Sequence, residues 1–125
     1  MLTSTIQKVR SALKPLAQKV GVIPARPKRK VCFIITNRIH YARQETLLRQ
    51  LRSDPDLELQ LIVGGAALLE KYSEVPATLA RHGYVVHERM LNLIEGGNHV
   101  AMAKTAGLAV LELANTFSKL NPDIV

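Results

Sequence analysis

Aromatic side chains are scarce in this chain, 4% of 125 residues, and tryptophan is absent. Binding of single strands by base stacking therefore has few platforms, and the core must be aliphatic. The one cysteine, Cys32, cannot close a disulfide within the chain, so nothing points to an oxidising compartment. Its neighbours Val31, Phe33 and Ile34 mark it as a small hydrophobe of a buried strand. No apolar run approaches the roughly 18 to 20 residues of a membrane span. No secretory signal is visible, because Lys8, Arg10, Lys14 and Lys19 interrupt the first twenty residues. These absences point to the cytoplasm.

Carboxylates are missing from one stretch only. Residues 1–43 hold ten of the seventeen basic residues and no acid, while residues 44–125 hold seven basic and ten acidic residues, a net of −3. The overall charge of +7 thus belongs to a leader, and the body is mildly acidic. That distribution excludes a nucleic-acid-binding globular face and favours a charged arm. Within the leader, Leu2, Ile6, Val9, Leu13, Leu16 and Val20 recur every three or four residues, which predicts a basic amphipathic helix. Gly21 ends it, and Pro24, Pro27 and Lys28-Arg29-Lys30 read as a linker. Three readings stay open for residues 1–20: a solvated or locally packed extension, a helix lying on an anionic membrane surface, and an organelle transit peptide.

From Lys30 onward the chain alternates between two periods. Residues 31–36 form a short apolar run, predicted as a strand buried on both faces. A helix is expected over 41–53, stopped by Asp54-Pro55. Leu57, Leu59, Leu61 and Val63 mark a second strand, followed by the Gly64-Gly65 turn. A short helical piece is expected near 67–72, then another with Pro76 in its first turn and Gly83 at its end. A third strand covers 84–90. Asn98 is the expected cap of a long helix whose predicted buried stripe is Val100, Ala103, Gly107, Val110, Ala114, Phe117 and Leu120. Asn121-Pro122 ends it, and Asp123-Ile124-Val125 opens a fourth strand. Such alternation predicts βαβ units and a Rossmann-like parallel sheet of the α/β class, with a domain over 30–125 behind a leader and linker over 1–29.

Ligands of an open parallel sheet bind beyond the carboxyl ends of its strands. That rule selects the loops at 36–41, 64–67 and 91–98. Thr36-Asn37-Arg38-Ile39-His40-Tyr41 runs into a helix N-terminus, where free N–H groups and the macrodipole favour anions, and Arg38 adds a guanidinium suited to phosphate. A neighbouring helix end or surface acid could equally occupy Arg38. The dinucleotide fingerprint and the phosphate loop are both missing, and Gly64-Gly65 and Gly96-Gly97 are pairs that most often mark turns. His40, His82, His87 and His99 show no metal spacing, so no metal and no cofactor is expected. His40 and His99 fall on the ligand edge. No paired carboxylates are placed for acid/base work.

Asn37-Arg38-Ile39-His40-Tyr41-Ala42-Arg43 resembles the first-loop pattern of hydrolysing UDP-N-acetylglucosamine 2-epimerases of the sialic-acid-pathway type. Asp54-Pro55-Asp56-Leu57-Glu58-Leu59-Gln60-Leu61-Ile62-Val63 resembles their second strand. Met102-Ala103-Lys104-Thr105-Ala106-Gly107-Leu108, together with Leu120-Asn121-Pro122-Asp123-Ile124-Val125, resembles their long helix and fourth strand. The resemblance is collinear over about residues 30 to 125. It implies the N-terminal half-domain of a glycosyltransferase-B-type fold, with ligand held between two Rossmann-like domains. It also implies conversion of UDP-N-acetylglucosamine to N-acetylmannosamine and UDP by elimination and rehydration. On this resemblance Arg38 reaches the UDP phosphates, Asn37 and Tyr41 shape the site, and Gly96, Gly97 and Asn98 lie near the sugar; His40 joins the substrate-binding set by its place on the ligand edge.

The departures are Ala42, where the family has glycine, and Gly65-Ala66-Ala67, where relatives carry a substrate-facing histidine. The family's catalytic carboxylates and its C-terminal domain would follow Val125. The resemblance therefore assigns no catalytic residue within this chain, predicts it inactive alone, and makes the C-terminal domain its missing partner in a complete protein that is a homo-oligomer. Two other function classes remain open: a non-catalytic nucleotide-sugar-binding or partner-packing remnant, and an interaction protein driven by the basic leader.

Overall fold

In the computed structural model, residues 26–71 and 75–125 are described. The basic leader, expected over 1–20, lies outside them. Three parallel strands, β1 (Arg29–Ile35), β2 (Leu57–Gly64) and β3 (Val86–Met90), pair in the order β1-β2-β3. The α-helices are α1 (Arg38–Ser53), α2 (Val75–Arg81) and α3 (His99–Leu120), and a 3-10 helix covers Gly65–Leu68. Val31 makes a parallel bridge with Ile124, and Ile124 N–H donates to the Lys30 carbonyl at 3.1 Å. The fourth apolar segment thus sits along β1. The architecture is α/β and Rossmann-like, as read from the sequence.

Two side-chain clusters explain why the sheet is sandwiched. On one face Ile35, Leu61 and Val63 meet Tyr41 and Leu48 of α1 and Val75 and Leu79 of α2. On the other, Cys32, Ile62 and Met90 meet Leu113, Phe117 and Leu120 of α3. Successive strand residues point to opposite faces, so the apolar run of β2 serves both clusters. Leu48, Leu61 and Ile62 are fully buried, each contributing about 1.5 to 3 kcal/mol. In β1 only Cys32 and Ile35 are buried, the residues between them being half-covered, so burial on both faces holds for β2 more than for β1.

Helix ends follow local chemistry. α1 starts at Arg38, three residues before the expected position, because extended Asn37 (φ −155°) accepts the His40 N–H with its side chain at 2.9 Å. Asp54 ends it in an extended conformation, as a residue before proline should. Gly83 (φ +75°) closes α2: its N–H donates to Ala80 at 3.0 Å and the Tyr84 N–H to Leu79 at 2.9 Å. Those two bonds form the 5→2 and 6→1 pair of a Schellman motif. The piece expected near 67–72 is the 3-10 helix, begun earlier by Gly65 (φ +56°).

α3 corrects the sequence reading in part. Asn98 caps it, accepting the Ala101 N–H at 2.9 Å, but of the predicted stripe only Phe117 and Leu120 face the sheet. Ala101 and Thr116 are buried and Leu113, Phe117 and Leu120 half-buried, whereas Val100, Ala103, Gly107, Val110 and Ala114 are exposed. The helix carries apolar residues on two sides, and periodicity alone could not choose between them.

Candidate functional site

The carboxyl ends of the three strands are bound into one ledge. The Ala67 N–H donates to the Thr36 carbonyl at 3.0 Å, joining the exits of β2 and β1. Buried Asn92 reaches back from the exit of β3, its Oδ1 accepting the Gly65 N–H at 2.9 Å. Only glycine fits Gly65 comfortably, because its φ is left-handed and an added Cβ would stand 3.2 Å from the Thr36 carbonyl. Sequence reasoning missed Asn92. A lone polar residue between apolar neighbours in 90–94 was the available signal.

Asn37 and His40 form a closed local network rather than an open pair. Asn37 Nδ2 lies 3.1 Å from His40 Nε2, and Thr36 Oγ1 lies 3.0 Å from His40 Nδ1. With Asn37 Oδ1 committed to the His40 N–H, its amide can only donate to Nε2, which leaves Nδ1 as the donor to Thr36. The imidazole is thereby held in one tautomer beside the first turn of α1.

Arg38 projects from that turn, exposed and without a hydrogen bond or ion pair among the described residues. It lines a cavity of about 490 Å³ between α1 and α2 with Tyr41, Ala42, Glu45, Val75, Thr78 and Arg81. Arg81 Nη2 donates to Thr78 Oγ1 at 3.0 Å, and Glu45 pairs with Arg49 at 3.3 Å. Tyr41 is largely interior, and its hydroxyl meets His82 Nδ1. Burial, followed by the Glu45 charge, raises the Tyr41 pKa above the usual 10.0.

A second cavity, about 710 Å³, opens between the β3 exit and the start of α3. Gly96 and Gly97 line it with Leu93, Ile94, Met102 and Ala106. Gly96 holds φ +154°, and an added Cβ would fall 3.0 Å from the Ala101 Cβ. Thr105 pins the loop, donating to the Ile94 carbonyl at 3.4 Å and accepting its N–H at 3.0 Å. Glu95 pairs with Lys71 at 2.5 Å. Asn98 serves as the α3 cap and does not line the cavity. Of the residues singled out from sequence, Arg38 and Tyr41 share the first cavity, Gly96 and Gly97 the second, and Asn37 and His40 bond to each other. Among the described residues no group of three or more His, Cys, Asp or Glu side chains could hold a metal ion.

No family model matches the chain. A curated relative, the GDP/UDP-N,N'-diacetylbacillosamine 2-epimerase (hydrolyzing) of Campylobacter jejuni subsp. jejuni serotype O:2, is 24% identical over 98 residues, covering 78% of this chain and 25% of that protein. A solved UDP-N-acetylglucosamine 2-epimerase superposes with a TM-score of 0.61 at 19% identity, over 77% of this chain and 25% of that one. The fold is therefore a portion of the glycosyltransferase-B-type α/β architecture. Within that class the chain is similar to nucleotide-sugar 2-epimerases, in keeping with the resemblance its sequence carries. It spans about a quarter of the length of either relative.

Proposed function

We propose that this chain supplies one wall of a nucleotide-sugar cleft in a hydrolysing 2-epimerase, with UDP-N-acetylglucosamine or a closely related nucleotide sugar as substrate. The observation that carries this is Arg38: a guanidinium without a partner among the described residues, in the first turn of α1, beyond the carboxyl end of β1, facing a cavity. An anion there meets both the free N–H groups of the helix start and a planar cation. The Gly96-Gly97 ledge and its apolar cavity take the sugar side. Asn37 fixes the helix start, His40 is presented in one tautomer, and Tyr41 holds α1 against α2.

The elimination and rehydration chemistry belongs to groups outside this chain. Among the described residues each of the two cavities is lined by a single carboxylate, Glu45 or Glu95, so the described residues offer no acid/base pair. The chain alone is then inactive, and the complete protein adds a second domain across the cleft. The relation to epimerases and the carboxyl-edge ledge support this reading.

Calorimetric titration of UDP into the chain joined to an epimerase C-terminal domain tests it. Arg38→Ala should weaken binding by about 1.5 to 3 kcal/mol, the range for hydrogen bonds to charged groups. Equal affinity in the variant removes Arg38 from the site.

A further inference from the structure

The wall of the 710 Å³ cavity is mostly apolar, through Leu93, Ile94, Met102 and Ala106, and its polar side chains are already engaged. Glu95 is paired with Lys71 at 2.5 Å. Thr105 donates to the Ile94 carbonyl and accepts the Ile94 N–H. Asn92 gives its Oδ1 to the Gly65 N–H at 2.9 Å. One side-chain donor is left over: Asn92 Nδ2, which has no partner among the described residues.

That donor is both enclosed and aimed. Asn92 is 5% exposed, a place where a polar group without a partner is costly. Among the described residues the only partnerless side-chain atom sealed from solvent is Gln60 Oε1. Asn92 Nδ2 therefore reaches open space, and the space its residue borders is the cavity. Its direction is set from behind. The two amide atoms diverge from one carbon, so Oδ1 held on Gly65 turns Nδ2 away from that backbone. The Asn92 N–H, donating to the Met90 carbonyl at 3.1 Å, fixes the residue at the β3 exit. A donor preset in this way loses little freedom when a ligand arrives.

We infer that Asn92 Nδ2 and the apolar wall beside it recognise the acetamido group of the nucleotide sugar. The inference rests on the reading of this cavity as the sugar side, and it adds which group lies there and which atom reads it. An acetamido group joins one carbonyl acceptor to one methyl. A single fixed N–H among apolar side chains complements both, in the manner of small-molecule sites with few, exactly placed polar groups. A hydroxyl in its place offers neither the carbonyl nor the methyl. The acceptor side chains that a row of hydroxyls would need, Glu95 and Thr105, are engaged by Lys71 and Ile94.

NMR titration of the labelled full-length chain with UDP-N-acetylglucosamine, UDP-glucose and UDP tests this, because the two sugars differ in carrying acetamido or hydroxyl at C2. All three ligands should move residues 36–41, and UDP-N-acetylglucosamine alone should move the Asn92 side-chain amide and the Met102 methyl. Asn92→Asp keeps an acceptor for Gly65 and removes the donor. It should weaken UDP-N-acetylglucosamine about five- to tenfold, the worth of one hydrogen bond, and leave UDP and UDP-glucose within about twofold. An equal loss for all three ligands would be an effect of the added charge and would overturn the assignment. An Asn92 amide that answers both sugars equally, or neither while residues 36–41 respond, overturns it and leaves the phosphate reading standing. A response at Asn92 to UDP-N-acetylglucosamine alone, with residues 36–41 silent, supports it and removes the phosphate reading instead. Silence everywhere overturns both. If Asn92→Asp does not fold, the amide comparison in the unaltered chain decides.

Discussion

Replacing Asn92 by alanine should loosen the ledge that joins the three strand exits. Its side chain is 5% exposed, and its Oδ1 lies 2.9 Å from the Gly65 nitrogen. Truncation leaves that N–H without its partner in a part-buried place. An unmatched buried donor costs about 1 to 3 kcal/mol, and partial access to solvent trims this to about 1 to 2 kcal/mol. For a body of this size that lowers Tm by roughly 4 to 8 °C per kcal/mol. Urea unfolding followed by circular dichroism gives the same quantity as a shift in midpoint at unchanged slope. Asn92→Asp keeps the acceptor and should recover much of the loss. A midpoint for Asn92→Ala equal to wild type would refute the view that this bond organises the site.

Other expectations are independent of that ledge. Leu48→Ala, at a fully buried position between α1 and the sheet, should cost about 2 to 5 kcal/mol in chemical unfolding. Gly96→Ala forces a Cβ onto a φ of +154° and within 3.0 Å of Ala101, so a loss of about 1 to 3 kcal/mol is expected, with NMR shifts confined to the loop before α3. Arg52 donates to the His82 carbonyl at 2.8 Å and lies 4.3 Å above the Tyr84 ring. Arg52→Ala should therefore cost about 1 to 2 kcal/mol, and Arg52→Lys should recover only part of it. Because burial raises the Tyr41 pKa in the folded state, the stability it gives is fully present below pH 10 and fades as pH rises through the folded value. Tyr41→Phe should flatten the decline in unfolding midpoint above pH 10, and an unchanged decline would assign it to other groups.

Most of the scaffold was legible in the sequence because its signals are local. Asn98, Gly83 and Asp54-Pro55 mark helix ends by capping and steric rules that need no tertiary context. The run at 57–63 has strand length and composition. α1 begins earlier than its apolar residues suggest, since the Asn37 cap sets the start and the first turn is largely exposed. The orientation of α3 was legible only at its C-terminal end: Phe117 and Leu120 were expected against the sheet, but apolar residues occupy two sides further up, and the sheet selects the one bearing Leu113. Arg38 was singled out because a cation beyond a strand exit has a general meaning. Asn92 was not, because its role depends on Gly65, 27 residues away. His87, which accepts the Leu61 N–H at 3.1 Å where the β2–β3 register shifts, was equally hidden.

We propose that the strand exits hold a nucleotide sugar, with Arg38 on its phosphates. Residue-resolved NMR of the chain titrated with UDP, and in parallel with uridine, examines this most directly. The account predicts UDP-dependent shifts at residues 36–41 and 91–98, with the first group nearly silent to uridine because it reads the phosphates. Shifts scattered elsewhere, or equal at Arg38 for both ligands, would contradict it.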